Sequence, residues 1–182
     1  MAPHSPYALL PQATEPDYDV VRAWRAALDA LPLGETGSVA HLITKSSPGE
    51  HAEVAAAEVA KGVGLVADHR RKDWYLGKRV PGREVSAVSL DVLRVLGVDP
   101  RVVGDNLVVA DFDLAALEPG DRIHVGEVLL VRSEVPHRPC PLFRHRTTPE
   151  AFHAIRHGRH RGALFYVAKG GTIRQGDPII KL

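Results

Sequence analysis

Arg122-Ile123-His124-Val125-Gly126-Glu127-Val128-Leu129-Leu130-Val131-Arg132 is the stretch that decides the fold. Apolar runs stand on both sides of Gly126, a residue that turns the backbone without a Cβ penalty. The pattern predicts a hairpin-like pair of strands, Arg122 to Val125 and Glu127 to Arg132. Ser133-Glu134-Val135-Pro136-His137-Arg138-Pro139-Cys140-Pro141 follows at once. Proline fixes φ and removes a backbone donor, so this continuation is stiff and non-helical. It carries the only cysteine of the 182 residues.

Strand signals recur outward from this hairpin. Ser38 to Thr44, Glu84 to Val88, Leu107 to Ala110 and Ala163 to Ala168 read as strands, and Ile173 and Ile179-Ile180 belong to the terminal ones. Short helices are inserted between them. Ser89 caps one that places Leu90, Leu93 and Leu96 inward and closes at Gly97. Leu114 to Leu117 predicts a turn of helix. Thr148-Pro149-Glu150 predicts a helix start, with the helix running from Ala151 to His157 and stopping at Gly158. Glu50 to Lys61, rich in Ala and Glu, predicts a short helix and a loop by intrinsic propensity. Lys72 to Arg83 reads as a basic, aromatic surface loop, in which Trp74 and Tyr75 either stack on a flat heterocycle or pack inward. Short strands separated by turn residues favour a barrel or sandwich over a doubly wound sheet.

Residues 1–36 form an N-terminal extension with one amphipathic helix, and residues 37–182 form the main domain. Asp17 or Asp19 caps that helix, and Val20, Val21, Trp24, Ala27, Leu28 and Leu31 make its apolar stripe. The stripe covers either the domain's own core or another copy of the chain, so an oligomer through this helix is one expectation.

With 45% hydrophobic and 25% charged residues, the chain has the composition of an ordinary globular protein. A net charge of +1 gives no global field toward nucleic acid or a membrane surface. One cysteine excludes an internal disulfide framework and a Cys-built zinc finger. No basic start leads into an apolar run, and no apolar run is long enough to span a bilayer, so a cytoplasmic protein is expected.

The local residues admit two readings of Cys140. Arg138, Arg144, Arg146, His137 and His145 stand around it in sequence, and nearby positive charge favours the thiolate, the form that attacks and binds metals. The alternative is an inert, buried cysteine. His153 and His157, four apart, share a helix face, as a metal pair or as part of a solvated basic face. Arg156, Arg159, His160 and Arg161 extend the positive character, which suits an anionic ligand.

The order of landmarks resembles a known family. Gly64-Leu65-Val66-Ala67-Asp68-His69, Arg83-Glu84-Val85-Ser86, Gly104-Asp105-Asn106-Leu107, Leu117-Glu118-Pro119-Gly120-Asp121, Gly126, Pro139-Cys140, Arg161-Gly162 and Gly170 to Asp177 follow one another as in the MOSC domain, the C-terminal domain of molybdenum cofactor sulfurases. The chain departs from that pattern at Ala67, where the family carries glycine, and at Asp105. The resemblance implies a mainly β, pyruvate-kinase-barrel-like fold with short inserted helices. It implies a cysteine, Cys140, that carries sulfur as a persulfide or binds the molybdenum of a pterin cofactor. The cofactor's phosphate would be met by Arg138 first, then Arg83, Arg144 and Arg161. Ser86 and Asn106 would hydrogen-bond the pterin edge. Asp68 would brace its turn, and His69 would do either.

Relatives that act as sulfurases carry a pyridoxal-phosphate desulfurase domain upstream. No pyridoxal phosphate is expected within these 182 residues. A sulfur carrier would therefore take its sulfur from a separate cysteine desulfurase. A molybdenum oxidoreductase reducing N-hydroxylated compounds, the second expectation, would need an electron-donor protein. A degenerate structural domain is the third.

Overall fold

In the computed structural model, which describes residues 15–70, 74–75 and 78–182, the chain runs α1 (Tyr18–Asp29), β1 (Thr36–Ser47), β2 (Glu50–Glu53), β3 (Ala56–Ala60), β4 (Gly64–Leu65), β5 (Trp74–Tyr75), β6 (Lys78–Arg79), β7 (Val85–Ser89), α2 (Leu90–Val95), β8 (Leu107–Ala110), β9 (Arg122–Val125), β10 (Val128–Arg132), α3 (Pro141–Arg146), α4 (Pro149–Ile155), β11 (Ala163–Lys169), β12 (Gly171–Arg174) and β13 (Pro178–Lys181). The strands β13, β9, β10, β11, β7, β8 and β1 are hydrogen-bonded in that order, and β1 pairs back onto β13. The result is a closed barrel of seven strands, the mainly β architecture the sequence implies. Closure removes the unpaired edges that an open sheet would expose. The predicted hairpin is there: Val128 faces Val125 and Val131 faces Arg122.

Alternation along the strands makes two cores. Val85 and Ala87 of β7, with Leu107 and Val109 of β8, point into the barrel, where they meet Val125, Leu130, Phe165 and Val167. Val88 and Val108 point outward and pack against Leu93 of α2, Leu28 of α1, Phe143 of α3 and Ile155 of α4. Both faces of β7 are covered, so every residue of it is buried. Complete burial of one such Leu or Phe stabilises the fold by ~1.5–3 kcal/mol. Continue the outward face of β7 and β8 by one more alternation and it reaches Ser86 and Asn106, which are polar. One end of the helix-covered face is therefore apolar, and the other is built from hydrogen bonds.

The caps form as expected. Asp17 accepts from the backbone N–H of Asp19 and Val20 at the start of α1. Ser89 Oγ accepts from Asp91 and Val92 at the start of α2, and Thr148 Oγ1 from Ala151 at the start of α4. The α1 stripe is spent on its own domain: Val21 and Leu28 are buried and Trp24 packs on the outer core. Arg25 Nη2 reaches the carbonyl of His153 at 2.7 Å, which fastens α1 to α4.

Four expectations are corrected. Glu50 to Lys61 is not helical; it forms β2 and β3. Ala57 and Val59 are buried while Ala56 and Glu58 are exposed, a period of two that pairs with β12, so tertiary context overrides the helical propensity of Ala and Glu. Leu114 to Leu117 is a single turn held by Asp113 Oδ1, which accepts from Ala115 and Ala116. Lys72 to Arg83 is not wholly loop, since β5 and β6 pair within it. Residues 71–73 and 76–77 and the side chains of Trp74 and Tyr75 lie outside the described residues, and with them the stacking role. The helix expected to reach His157 ends at Ile155 with Arg156 as its cap, and α3 directly after Cys140 was not expected.

Candidate functional site

Two polar groups lie side by side at the end of β7 and β8. The first centres on Asn106, which is 1% exposed. Its Oδ1 accepts from Ser86 N and Ser86 Oγ, both at 3.2 Å. Its Nδ2 donates to Ile43 O at 3.2 Å and to Asp68 Oδ2 at 2.8 Å. Asp68 Oδ1 accepts from Lys45 N at 2.7 Å, and His69 N donates to Lys45 O at 2.7 Å. Lys45 Nζ in turn donates to Ser86 Oγ at 3.2 Å. Ser86, Asn106 and Asp68 therefore tie together four segments, β1, the turn after β4, β7 and the start of β8. A buried amide whose groups are all met specifies one arrangement of those segments.

The second group centres on Asp105, which is 2% exposed. Arg161 Nη1 donates to Asp105 Oδ2 at 2.7 Å, and His137 Nε2 lies 3.3 Å from Asp105 Oδ1. Glycines make this approach possible. Gly104 holds φ at 74°, and a Cβ there would run into the His51 ring. Gly162, next to Arg161, holds φ at 106°, and a Cβ there would strike the carbonyl of Ala87. Burial alone would raise the pKa of Asp105. The Arg161 guanidinium foremost, with Lys45 adding to it, more than offsets that and holds the carboxyl below its ordinary value. Burial, with Arg161 next, pushes His137 down to about 3, so the imidazole is neutral at physiological pH. Arg161 is then the counter-ion of Asp105. His137 Nδ1 is buried with no hydrogen-bond partner. His51 is also pushed down from its ordinary value, first by burial and then by Arg146 and Lys45.

Cys140 hangs between two anchors that rest on this pair. His137, three residues before it, sits on Asp105. Phe143, three residues after it, is buried, and the Arg161 guanidinium lies over its ring at 5.0 Å from the centroid. Between these anchors Cys140 is extended, with φ −97° and ψ 169°, and takes the N-cap position of α3. Its side chain makes no cap hydrogen bond, and the residue is exposed. The buried reading of this cysteine is therefore excluded. An exposed thiol on a braced turn can act as a nucleophile or as a soft metal ligand.

The other expected residues divide. Arg138 is exposed and Arg83 half-buried, with Arg83 near enough to act on the charge of His137. Arg144 lies with its guanidinium 5.6 Å from the centroid of the Phe152 ring, turned toward α4. Arg161 is 4% exposed and committed to Asp105. His153 packs edge-on against Tyr18 and Phe152, while His157 is exposed beyond α4. Among the described residues no three His, Cys, Asp or Glu side chains are grouped to hold a metal ion, so the two histidines have no third ligand. The sequence reading missed Asp105 as an anchor, and with it His137, Phe143, Lys45 and His51. The signal available was spacing: an aromatic ring and a histidine stand symmetrically about the cysteine.

Comparison with known proteins bears on the fold and the family. The MOSC domain family matches residues 78–180, more than half of the chain. No curated protein matches in sequence. The fold is similar to that of YuaD from Bacillus subtilis, with TM-score 0.61 and 21% identity over 79% of this chain and 94% of that one. It is similar also to YiiM from Escherichia coli, with TM-score 0.56 and 17% identity over 80% and 69%. YiiM from Geobacillus stearothermophilus gives 0.53 and 16% over 80% and 75%. At these identities the likeness concerns the fold alone. No helix among the described residues is long and apolar enough to cross a membrane. The closed barrel, the run of landmarks within it and the family match lead to one statement: the chain belongs to the MOSC domain family, which is associated with the molybdenum cofactor.

Proposed function

We propose that this protein binds a molybdenum–pterin cofactor on the face that carries Cys140, with the Cys140 thiolate as the sulfur ligand. The observation that carries the reading is the exposed thiol suspended between His137 and Phe143, both braced on the Asp105–Arg161 pair. The donor set fits the group. A thiolate is the soft ligand that such a metal favours. Arg138 stands two residues away, exposed, to meet a phosphate, and Arg83 and Arg144 are the next cations. His137 Nδ1 is buried and has no hydrogen-bond partner. Ser86 and Asn106 have their groups engaged with each other, with Lys45, Ile43 and Asp68. Their part is to hold Lys45 and the turn of Asp68 and His69 in place beneath the ligand. When bound, the metal would supply two-electron redox chemistry.

The same thiol supports a second reading, favoured by its position at the exposed tip of the turn with no hydrogen bond to its own helix. As a sulfur carrier, the Cys140 thiolate attacks the outer sulfur of a persulfide on a cysteine desulfurase. The donor's S–S bond breaks, its thiolate leaves, and Cys140 becomes the persulfide. One preparation separates the two. Protein made in a host that produces the cofactor should retain molybdenum, measured by elemental analysis, and Cys140→Ser should lose it. Persulfide mass on Cys140 without molybdenum favours the carrier, and neither signal leaves a structural domain.

A further inference from the structure

The turn that carries Cys140 has a second side. Between the turn, His137 included, and the end of α4 lies a cavity of about 620 Å³. That is the size range of sites that hold small organic molecules. Pro139, Phe152 and Ile155 supply apolar wall, and Arg138, Arg156 and His157 supply polar wall. Among the described residues no acidic one lines it. Six of the arginines elsewhere are met by carboxylates: Arg22 by Asp19, Arg94 by Asp91, Arg101 by Asp99, Arg159 by Glu118, Arg161 by Asp105 and Arg174 by Glu127. Arg138 and Arg156 have no such partner among the described residues. Two unpaired guanidinium groups beside an aromatic ring make a site selective for charge and for an apolar body together, since each guanidinium can grip a carboxylate with parallel N–H donors.

We propose that this cavity binds a small organic monocarboxylate, with its carboxylate on Arg138 and Arg156 and its apolar body against Phe152 and Ile155. Pro139 both lines the cavity and precedes Cys140, so the ligand lies directly behind the reactive turn. Arg138 is also the first cation proposed for the cofactor phosphate, so this is the site the chain offers while that phosphate is absent.

The test uses the full chain without cofactor and four probes: benzoate, hexanoate, acetate and benzyl alcohol. Titration is followed by the backbone amide signals of Arg138, Phe152, Arg156, His157 and Gly158. Benzoate and hexanoate should bind at these residues, and acetate and benzyl alcohol should bind at least about tenfold more weakly, one lacking the body and the other the charge. The Arg138→Gln/Arg156→Gln pair should weaken benzoate by about tenfold or more with an unchanged urea midpoint, since both side chains are exposed. Acetate binding as well as benzoate, benzoate unaffected by the double substitution, or signals moving elsewhere would each overturn the proposal. Arg156→Gln alone, which leaves the Cys140 turn unaltered, should give an intermediate loss, and no loss would count against the site.

Discussion

The turn from Pro136 to Pro139 has an inner and an outer face, and they are made of opposite materials. On the inner face His137 is almost enclosed, set against a carboxylate that is itself held by a buried guanidinium. On the outer face Arg138 stands in solvent and shares with Arg156 a cavity that no carboxylate of the described residues lines. Adjacent residues thus do different work. The inner one fixes where the backbone goes, and the outer one is left available for something that is not part of the chain. A reactive residue needs both, because a thiol on a loose loop would be exposed without being placed.

The largest effect should come from removing the inner anchor. Asp105→Ala leaves the Arg161 charge buried without its counter-ion, and the cost of breaking such a pair is ~3–5 kcal/mol. Urea denaturation should show it as a lower midpoint. The double substitution Asp105→Leu/Arg161→Met removes both charges and should cost far less. If the double variant is as unstable as the single one, the pair acts by packing, and the contrast between the two faces is not electrostatic.

Asn106→Ala comes next. It strips the partner from Ser86 N and from the Ile43 carbonyl, both inside the protein, and each buried group left unmet costs ~1–3 kcal/mol. Lys45 and Asp68 lose their common support at the same time, so molybdenum retention should fall along with stability. A stable variant that retains less molybdenum would move Asn106 from the scaffold to the ligand side of the comparison.

The two faces were not equally legible beforehand. The hairpin around Gly126, the capping residues and the stiff proline-flanked backbone at Cys140 are local signals, read from proline, glycine and alternation within ten residues or so. The inner anchor is not local. Asp105, His137 and Arg161 are far apart in sequence, and only barrel closure brings β8, the turn and the start of β11 together. Glu50 to Lys61 failed for a related reason. Its alanines prefer helix in isolation, but the chain at Gly171 to Arg174 offers a strand to pair with, and pairing prevails. The outer cavity needs α3 and α4 in place, and α3 was hidden by the prolines around Cys140.

The pH dependence should also come from the inner face. The folded protein keeps His137 neutral down to about pH 3, while the unfolded chain takes up that proton near 6.5. Between those values the unfolded state binds more protons, so stability falls as pH falls, by up to ~1.4 kcal/mol per pH unit for one such group. Arg161, Lys45 and Arg83 face the ring and strengthen the effect, and Asp105 opposes it. His51 and His153 are depressed too and act in the same direction. The readout is therefore a difference between two proteins. His137→Asn should flatten the slope of urea stability against pH above the carboxylate range. An unchanged slope would mean that His137 is not enclosed as described.

The smallest effect on stability belongs to the residue of greatest chemical interest. Cys140 is exposed and caps α3 without a side-chain hydrogen bond, so its loss removes no contact that the fold depends on. Cys140→Ser should change stability by no more than ~0.5 kcal/mol, as for other surface positions. In the native protein a thiol reagent should titrate one cysteine before any unfolding, and none in the variant. Asp105→Ala, measured alongside, should leave the thiol just as accessible while loosening its position, so alkylation should persist and molybdenum retention should fall. Alkylation that appeared only on unfolding would mean that the turn closes over its own sulfur, and the outer face would then have no reactive group to present.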